Sequence, residues 1–103
     1  MAFRTQFNMR FHFFAAFLVL LAGIFLKIAV VEWCIVLLCS ASVISAELIN
    51  TSLELTVDLA MPELNEKAGQ AKDMAAAAVL IVSIVSAIIG CIIFIPKLLI
   101  LVK

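Results

Sequence analysis

An uncharged, apolar run from Ala75 to Ile95 constrains the fold of this chain more than any other feature of its sequence. A transmembrane helix needs about 20 consecutive, mostly apolar residues, and this run provides them. Of the 103 residues, 67% are hydrophobic and 14% are charged, whereas soluble domains are about half apolar and about a quarter charged. A chain this short could not bury so much apolar surface in a soluble fold. The sequence therefore predicts a single membrane domain over residues 1–103.

Two further apolar segments precede that run. The first predicted span covers about residues 11–31 and is interrupted by Lys27 near its far end. The second covers about residues 33–60 and includes a polar extension beyond the membrane. A polar connection over residues 61–72 leads to the third span, at about residues 73–100. The sequence thus predicts an all-α integral membrane protein with three transmembrane helices.

The boundary between the first two spans is short. Lys27 and Glu32 bracket an apolar turn, so we expect an antiparallel hairpin with Trp33 as an anchor at the membrane surface. Arg4 and Arg10 precede an apolar core, as in a signal peptide, but that core is too long and no convincing small-x-small cleavage site follows it. We therefore expect the first segment to remain in the protein as a membrane span.

The charges of the chain are distributed unevenly, although they sum to zero. Neutrality gives no reason to expect a nucleic-acid partner. The basic residues favour only weakly, under the positive-inside rule, that the connection between the second and third spans is cytoplasmic. Six of the seven acidic residues lie on that side, namely Glu47, Glu54, Asp58, Glu63, Glu66 and Asp73.

Residues 46–58 read AELINTSLELTVD and continue the second span as an amphipathic helix. Glu47, Asn50, Glu54 and Asp58 are spaced by three or four residues, so they share one helix face. Carboxylates at membrane depth cost about 3 kcal/mol each, and like charges one turn apart repel. A divalent cation, a cationic partner or protonation of some acids could compensate. The simpler interpretation is that the segment is only the solvated end of a membrane helix.

The same pattern suits a site for a nucleotide and its metal ion. Mg²⁺ prefers oxygen ligands and commonly takes one or two carboxylates together with substrate phosphates. Glu47 lies nearest the apolar run, where partial burial suits a general base. Lys72 can reach phosphate oxygens, and Asp73 is expected to cap the third span from its first turn. Alternatively, Lys72 only extends to the membrane surface.

Two blocks of the sequence resemble the prokaryotic diacylglycerol kinase and undecaprenol kinase family. The family signature is roughly E-x-[apolar]-N-[ST]-[SA]-[apolar]-E-x-x-V-D, and the block AKDMAAAAVL at residues 71–80 follows it at the family's spacing. The resemblance covers about residues 6–100. Every fixed position of the signature is present, as Glu47, Asn50, Thr51, Ser52, Glu54, Val57 and Asp58.

This resemblance implies a small membrane kinase with three transmembrane helices, assembled as a homotrimer whose active sites are shared between neighbouring protomers. It further implies that the γ-phosphoryl group of ATP is transferred, with Mg²⁺, to a lipid hydroxyl at the cytoplasmic face of the bacterial inner membrane. Phosphoryl transfer mainly needs positioning and charge stabilisation, and the predicted polar layer offers carboxylates, an amide and a lysine for both.

The resemblance also implies roles for individual residues. Glu47 matches the general base that takes the proton of the lipid hydroxyl, and Glu54 matches a metal-binding glutamate. Asn50 and Asp58 match polar residues that line the nucleotide site. The remaining matches are Glu63 and Asn65, in a connection that contacts the nucleotide, and Lys72 and Asp73, near its phosphates.

The resemblance favours undecaprenol as the acceptor lipid. Residues 7–12, FNMRFH, resemble the E-R-N-x-K-x-H segment of the undecaprenol kinase branch, and residues 93–99 resemble the end of that branch. Diacylglycerol is the alternative acceptor. His12 lies at the start of the first span, where the simpler interpretation is an interfacial hydrogen bonder rather than a catalyst.

Two departures from the family pattern raise alternatives. Gln6 stands where the family has a second metal-binding glutamate, so an oxygen ligand is retained but a charge is lost. Residues 1–5 precede it, so we expect the family's N-terminal surface helix to be largely absent and the ATP site to be more open. A catalytically weak or inactive relative is therefore a second hypothesis. A third is an ion or proton carrier that uses Glu47 and Glu54, although a carrier predicts an acid nearer mid-span.

Overall fold

The computed structural model describes residues 2–61, 63 and 65–102, with side chains from Met9 onward. All regular structure in these residues is helical, and each helix is long and apolar enough to cross a membrane. The predicted all-α fold with three membrane-spanning helices is confirmed. The helices are α1 (Ala2–Leu26), α2 (Val30–Ala60) and α3 (Glu66–Val102).

The three helices form an elongated bundle with dimensions of 57 × 21 × 21 Å. α2 packs mainly against α3, and α1 contacts both of them less extensively. With 31 residues, α2 is about 46 Å long at 1.5 Å per residue. The hydrocarbon core of a bilayer is about 30 Å thick, so α2 is long enough to cross it and to extend beyond it.

The buried apolar core is small and lies at the end of the bundle where α1 meets α2. Among the residues that the structure describes, Ile28, Val36 and Ile93 are the buried apolar side chains, and Trp33 and Phe94 pack against them. Most other large apolar side chains lie exposed on the outside of the bundle. Such an exterior would promote aggregation in water, but it matches the lipid chains of a bilayer.

A Schellman-type cap closes the turn between α1 and α2. The N–H of Lys27 donates to the carbonyl of Ile24 at 3.3 Å, and the N–H of Ile28 donates to the carbonyl of Gly23 at 3.2 Å. Lys27 has a φ of 53°, in the left-handed region where glycine is the usual residue. A Cβ on Gly23 would lie 2.8 Å from the Trp33 ring and 3.2 Å from Ile28. The missing side chain of Gly23 therefore allows both residues to pack onto α1.

Glu32 holds the N-terminus of α2. Its Oε1 accepts a hydrogen bond from the N–H of Ala29 at 2.9 Å and lies 3.0 Å from Nζ of Lys97, near the end of α3. α3 continues through Pro96, which has no N–H to donate to the carbonyl of Ile92. The ion pair thus ties the start of α2 to the last turns of α3.

Two helix boundaries differ from those expected. α1 ends at Leu26 rather than near residue 31, because the chain turns there. α3 begins at Glu66, inside the predicted polar connection, because Oδ1 of Asn65 accepts a hydrogen bond from the N–H of Ala68 at 3.1 Å and caps the helix. Asp73 therefore lies inside α3, and the expectation that it caps this helix is wrong.

Candidate active site

The candidate site lies along α2 and begins inside the bundle. Glu47 and Asn50 are the buried polar residues among those that the structure describes, with exposures of 4% and 8%. Glu54 and Asp58 follow at helical spacing, and both are half-buried. The face therefore runs from the interior at Glu47 towards the polar end of the helix. A merely solvated helix end would account for Asp58, but it would not bury Glu47.

His12 of α1 is the partner of Glu47. Its Nε2 lies 3.5 Å from Oε2 of Glu47, and the two side chains are 15% and 5% exposed. Sequence reasoning assigned His12 an interfacial role and no partner, because the pairing depends on how α1 packs against α2. The one signal in the sequence was its position at the end of the FNMRFH segment.

The buried amide of Asn50 is only partly satisfied. Its Nδ2 donates to Oε1 of Glu54 at 3.4 Å, which is long for a hydrogen bond. Within the described part of the chain, its Oδ1 has no hydrogen-bond partner, and neither does Oγ1 of Thr51. An unsatisfied buried oxygen costs about 1–3 kcal/mol, which a bound ligand or ion would remove. These two oxygens are therefore available to a polar ligand.

An ion pair joins α2 to α3 at the polar end of this face. Nζ of Lys72 donates to Oδ1 of Asp58, and the two side chains are 28% and 40% exposed. A lysine that is partly exposed can exchange a carboxylate for a phosphate oxygen, because its flexible stem and rotatable ammonium impose little geometry. The pair places a mobile positive charge beside the acidic residues of α2.

The structure does not bring every expected residue to this face. Glu63 and Asn65 are exposed in the connection between α2 and α3, where Asn65 caps α3, and Asp73 is exposed on α3. Gln6 lies in α1, but its side chain is outside the described part of the chain. The expected residues that share the face, or contact it, are Glu47, Asn50, Glu54, Asp58 and Lys72.

A cavity of about 330 Å³ lies between the three helices and is lined by His12, the partner of Glu47. Most of its wall is apolar, and its other polar lining residues include Ser40, Ser83 and Ser86. Oγ of Ser83 is buried and has no hydrogen-bond partner among the described residues. Ligand pockets are mostly apolar and measure about 300–1,000 Å³, so this cavity can hold part of a lipid. Sequence reasoning missed the serines because serine has no distinctive spacing in a membrane helix.

The donor set fits a magnesium ion that substrate phosphates help to hold. In residues 2–61, 63 and 65–102, no three His, Cys, Asp or Glu side chains cluster as a complete metal site. Glu54 supplies a carboxylate, and Asn50 supplies an unsatisfied amide oxygen one turn away. Magnesium at nucleotide sites commonly takes one or two carboxylates, and phosphates and water complete its shell. The site therefore suits a shared ion rather than a dedicated metal cage.

Comparison with known proteins identifies relatives of the whole helical bundle. The family model described as prokaryotic diacylglycerol kinase matches residues 1–94. The chain is 43% identical to the undecaprenol kinase of Bacillus subtilis over 95 residues, which cover 92% of this chain and 77% of that protein. It is 39% identical to the diacylglycerol kinase of a Synechocystis species over 99 residues, which cover 95% of this chain and 57% of that protein. No solved structure matches it.

These similarities confirm the family that the two sequence blocks indicated. The relative from Bacillus subtilis also supports the resemblance to the undecaprenol kinase branch. The matched region contains all of α1 and α2 and most of α3, and hence every residue of the candidate site. The chain therefore belongs to the prokaryotic diacylglycerol kinase family, a family of lipid kinases.

Proposed function

We propose that the chain is a membrane kinase that transfers the γ-phosphoryl group of ATP to the hydroxyl of undecaprenol. Family membership supports the kinase chemistry, and the identity to an undecaprenol kinase supports the acceptor. The observation that carries the proposal is the buried carboxylate of Glu47, beside a cavity-lining residue and on the polar face of α2. An enzyme that joins a lipid alcohol to a phosphoryl group from a nucleotide needs an apolar region for the lipid next to a polar region for the nucleotide.

Glu47 acts as the general base in this mechanism. Its carboxylate takes the proton of the acceptor hydroxyl while the hydroxyl oxygen forms a bond to the γ-phosphorus of ATP. The bond between that phosphorus and the bridging β–γ oxygen breaks, and ADP leaves with its electron pair. Because this chemistry depends mainly on positioning and charge stabilisation, a carboxylate fixed on a long helix is well suited to it.

The polar end of α2 would bind the nucleotide. Glu54, the amide oxygen of Asn50 and the neutral side-chain oxygen of Gln6 would hold Mg²⁺, which would neutralise phosphate charge when bound. Asn50 and Asp58 would line the nucleotide, and Lys72 would exchange its contact with Asp58 for a phosphate oxygen. The proposed nucleotide contacts also include Glu63, Asn65 and Asp73.

The proposed function also predicts how the protein is oriented in the membrane and how its protomers assemble. The polar end of α2 would face the cytoplasm, because that is where ATP is found. The protein would be a multi-pass component of a bacterial cytoplasmic membrane and would assemble as a homotrimer with active sites shared between protomers. The extensive exposed apolar surface of the single chain is compatible with contacts between protomers as well as with lipid.

Diacylglycerol is the alternative acceptor, and the name of the Synechocystis relative supports it. Both lipids present a primary hydroxyl on an apolar body, so the same base and cavity would serve either. A catalytically weak or inactive relative is a further alternative, because Gln6 lacks the charge of a metal-binding glutamate. An ion or proton carrier is less consistent with Glu47, which lies at the end of its apolar run rather than at mid-span.

The test is transfer of radiolabelled γ-phosphate from MgATP to lipid by the purified protein in mixed micelles. We expect faster transfer to undecaprenol than to diacylglycerol. Absence of transfer to both lipids would contradict the kinase proposal and favour the inactive alternative. A parallel assay of Gln6→Glu at low Mg²⁺ should show a higher rate if Gln6 limits metal binding, whereas an unchanged rate would remove Gln6 from the metal site.

A further inference from the structure

The imidazole of His12 lies between the apolar cavity and the carboxylate of Glu47. It lines the cavity, and its Nε2 lies 3.5 Å from Oε2 of Glu47. The ring of Phe11 packs edge-on against it, with the ring centroids 5.8 Å apart and an interplanar angle of 77°. His12 therefore contacts both regions that a lipid kinase must join, the apolar space for the acceptor and the proposed base.

We infer that His12 is a positioning residue for Glu47, an inference that rests on the proposed kinase function. In the inferred arrangement, an N–H at Nε2 would donate to Oε2 and would leave Oε1 of Glu47 available to take the proton of the acceptor hydroxyl. The separation of 3.5 Å is long for a hydrogen bond, and catalytic contacts of this kind commonly tighten when substrate binds. An acceptor in the cavity contacts His12, so binding of the lipid and orientation of the base are coupled through one side chain.

Two observations favour positioning over simple packing. Among the described residues, His12 is the one basic side chain within ion-pair distance of Glu47, and a buried carboxylate without a partner is costly at membrane depth. The wall of the cavity is otherwise mostly apolar, and an aliphatic side chain would fill the position of His12 without contacting a carboxylate. The apolar wall of the cavity does not require a polar side chain at this position, so the contact with Glu47 accounts for the imidazole.

Substitutions of His12 separate these roles through their effects on kcat and KM. In His12→Ala we expect kcat for undecaprenol to fall by about 10- to 100-fold, as when other groups that orient a reactive side chain are removed, with the KM for ATP unchanged. His12→Gln retains an N–H donor and should recover most of the loss. Phe14→Ala is the matched control, because it removes a ring from an exposed position of α1 and should change kcat by less than about twofold.

A double substitution tests whether His12 acts through Glu47. Glu47→Asp retains the carboxylate but withdraws it by one methylene, so that His12 no longer reaches it. If His12 orients the base, adding His12→Ala to Glu47→Asp should reduce kcat little further, and the two effects will be non-additive. Additive effects would mean that His12 acts independently of Glu47 and would overturn the inference.

The same measurements distinguish failure of this inference from failure of the kinase proposal. Wild-type protein without activity towards either lipid would overturn the kinase proposal and, with it, this inference. Active wild-type protein whose kcat is unchanged in His12→Ala, or in which only the KM for undecaprenol rises, would overturn the inference alone. Thermal melting and oligomeric state in detergent complete the test, because loss of the folded protein in both His12 variants would assign His12 a purely structural role.

Discussion

The two ends of α2 each carry an ion pair to α3, yet the pairs have different surroundings. At the hairpin end, Glu32 contacts Lys97 at 3.0 Å and also accepts a hydrogen bond from the N–H of Ala29. At the polar end, Asp58 pairs with Lys72. The two lysine side chains are almost equally exposed, at 29% and 28%, whereas the side chain of Asp58 is more exposed than that of Glu32, at 40% against 26%.

The neighbouring groups distinguish them. The hairpin end contains the apolar core, and its carboxylate is occupied by partners from the chain itself. The polar end has an excess of acidic residues between positions 47 and 73, and it includes the buried oxygens of Asn50 and Thr51 that lack partners in the described part of the chain. Unsatisfied buried oxygens cost about 1–3 kcal/mol each, and a bound ligand would remove that cost. These differences suit the hairpin end to stability and fit the proposal that the polar end binds a ligand.

Removal of the proposed base should have the largest effect. Glu47→Gln should reduce phosphoryl transfer by about 100- to 10,000-fold, because an amide cannot accept the hydroxyl proton. Melting temperature and oligomeric state should change little. The matched control makes the same chemical change at the other end, where Glu32→Gln should preserve the transfer rate and lower the melting temperature. Equal losses of transfer in both variants would break the distinction between the two ends.

The two lysines provide the next comparison. Lys72→Ala should lower kcat/KM for ATP by about 10- to 100-fold, which corresponds to the loss of one hydrogen bond to a charged group. Lys97→Ala should leave kcat/KM unchanged and lower only the melting temperature, because its partner Glu32 lies at the hairpin end. Steady-state kinetics and thermal melting of both variants test whether the two lysines differ in this way. A kinetic defect in Lys97→Ala that matches that of Lys72→Ala would remove the functional asymmetry.

The sequence was sufficient to predict the part of the site that lies on one helix. Glu47, Asn50 and Glu54 share a face of α2 because helical spacing alone determines it. The pairing of His12 with Glu47 could not be predicted in this way, because it requires α1 to lie against α2 in one particular register. The distance between two helices is a property of their packing, and no spacing along the chain records it.

The start of α3 shows a second limit of sequence reasoning. The polar composition of residues 61–72 indicated a loop, yet Asn65 caps a helix that begins at Glu66. Helices that extend out of a membrane have polar, solvated turns, so composition does not separate such a turn from a loop. Asparagine is a common capping residue, so the sequence alone offered Asn65 as a cap. The resemblance assigned that residue to the nucleotide instead.

The contact at Gly23 should affect stability and not chemistry. A Cβ at this position would lie 2.8 Å from the Trp33 ring, so Gly23→Ala should destabilise the fold by about 1–3 kcal/mol, as overpacking does. No atom lies within 4 Å of the corresponding position at Gly69, so Gly69→Ala should stabilise the helix by about 0.5–1 kcal/mol. Unfolding in detergent measures both. If both substitutions changed the free energy of unfolding in the same direction, the hairpin end would adjust more easily than its packing implies.

The smallest expected effect is a gain in stability at Lys27, whose φ of 53° is unfavourable for a residue with a Cβ. Relief of that strain in Lys27→Gly is worth about 1–2 kcal/mol, and the greater freedom of glycine in the unfolded chain opposes it by about 0.5–1 kcal/mol. The net gain should be about 0.5–1 kcal/mol, with an unchanged rate of phosphoryl transfer.

Lys27→Ala is the control for this gain, because it removes the charge but keeps the Cβ and the strain. Equal stabilisation in Lys27→Ala and Lys27→Gly would attribute the effect to the charge at the membrane surface rather than to the backbone. A gain in stability that is confined to Lys27→Gly would show that the Schellman-type cap contains backbone strain at the hairpin end. Because that strain lies before the start of α2 and Glu47 lies near the middle of this helix, its removal can raise stability without disturbing the proposed chemistry.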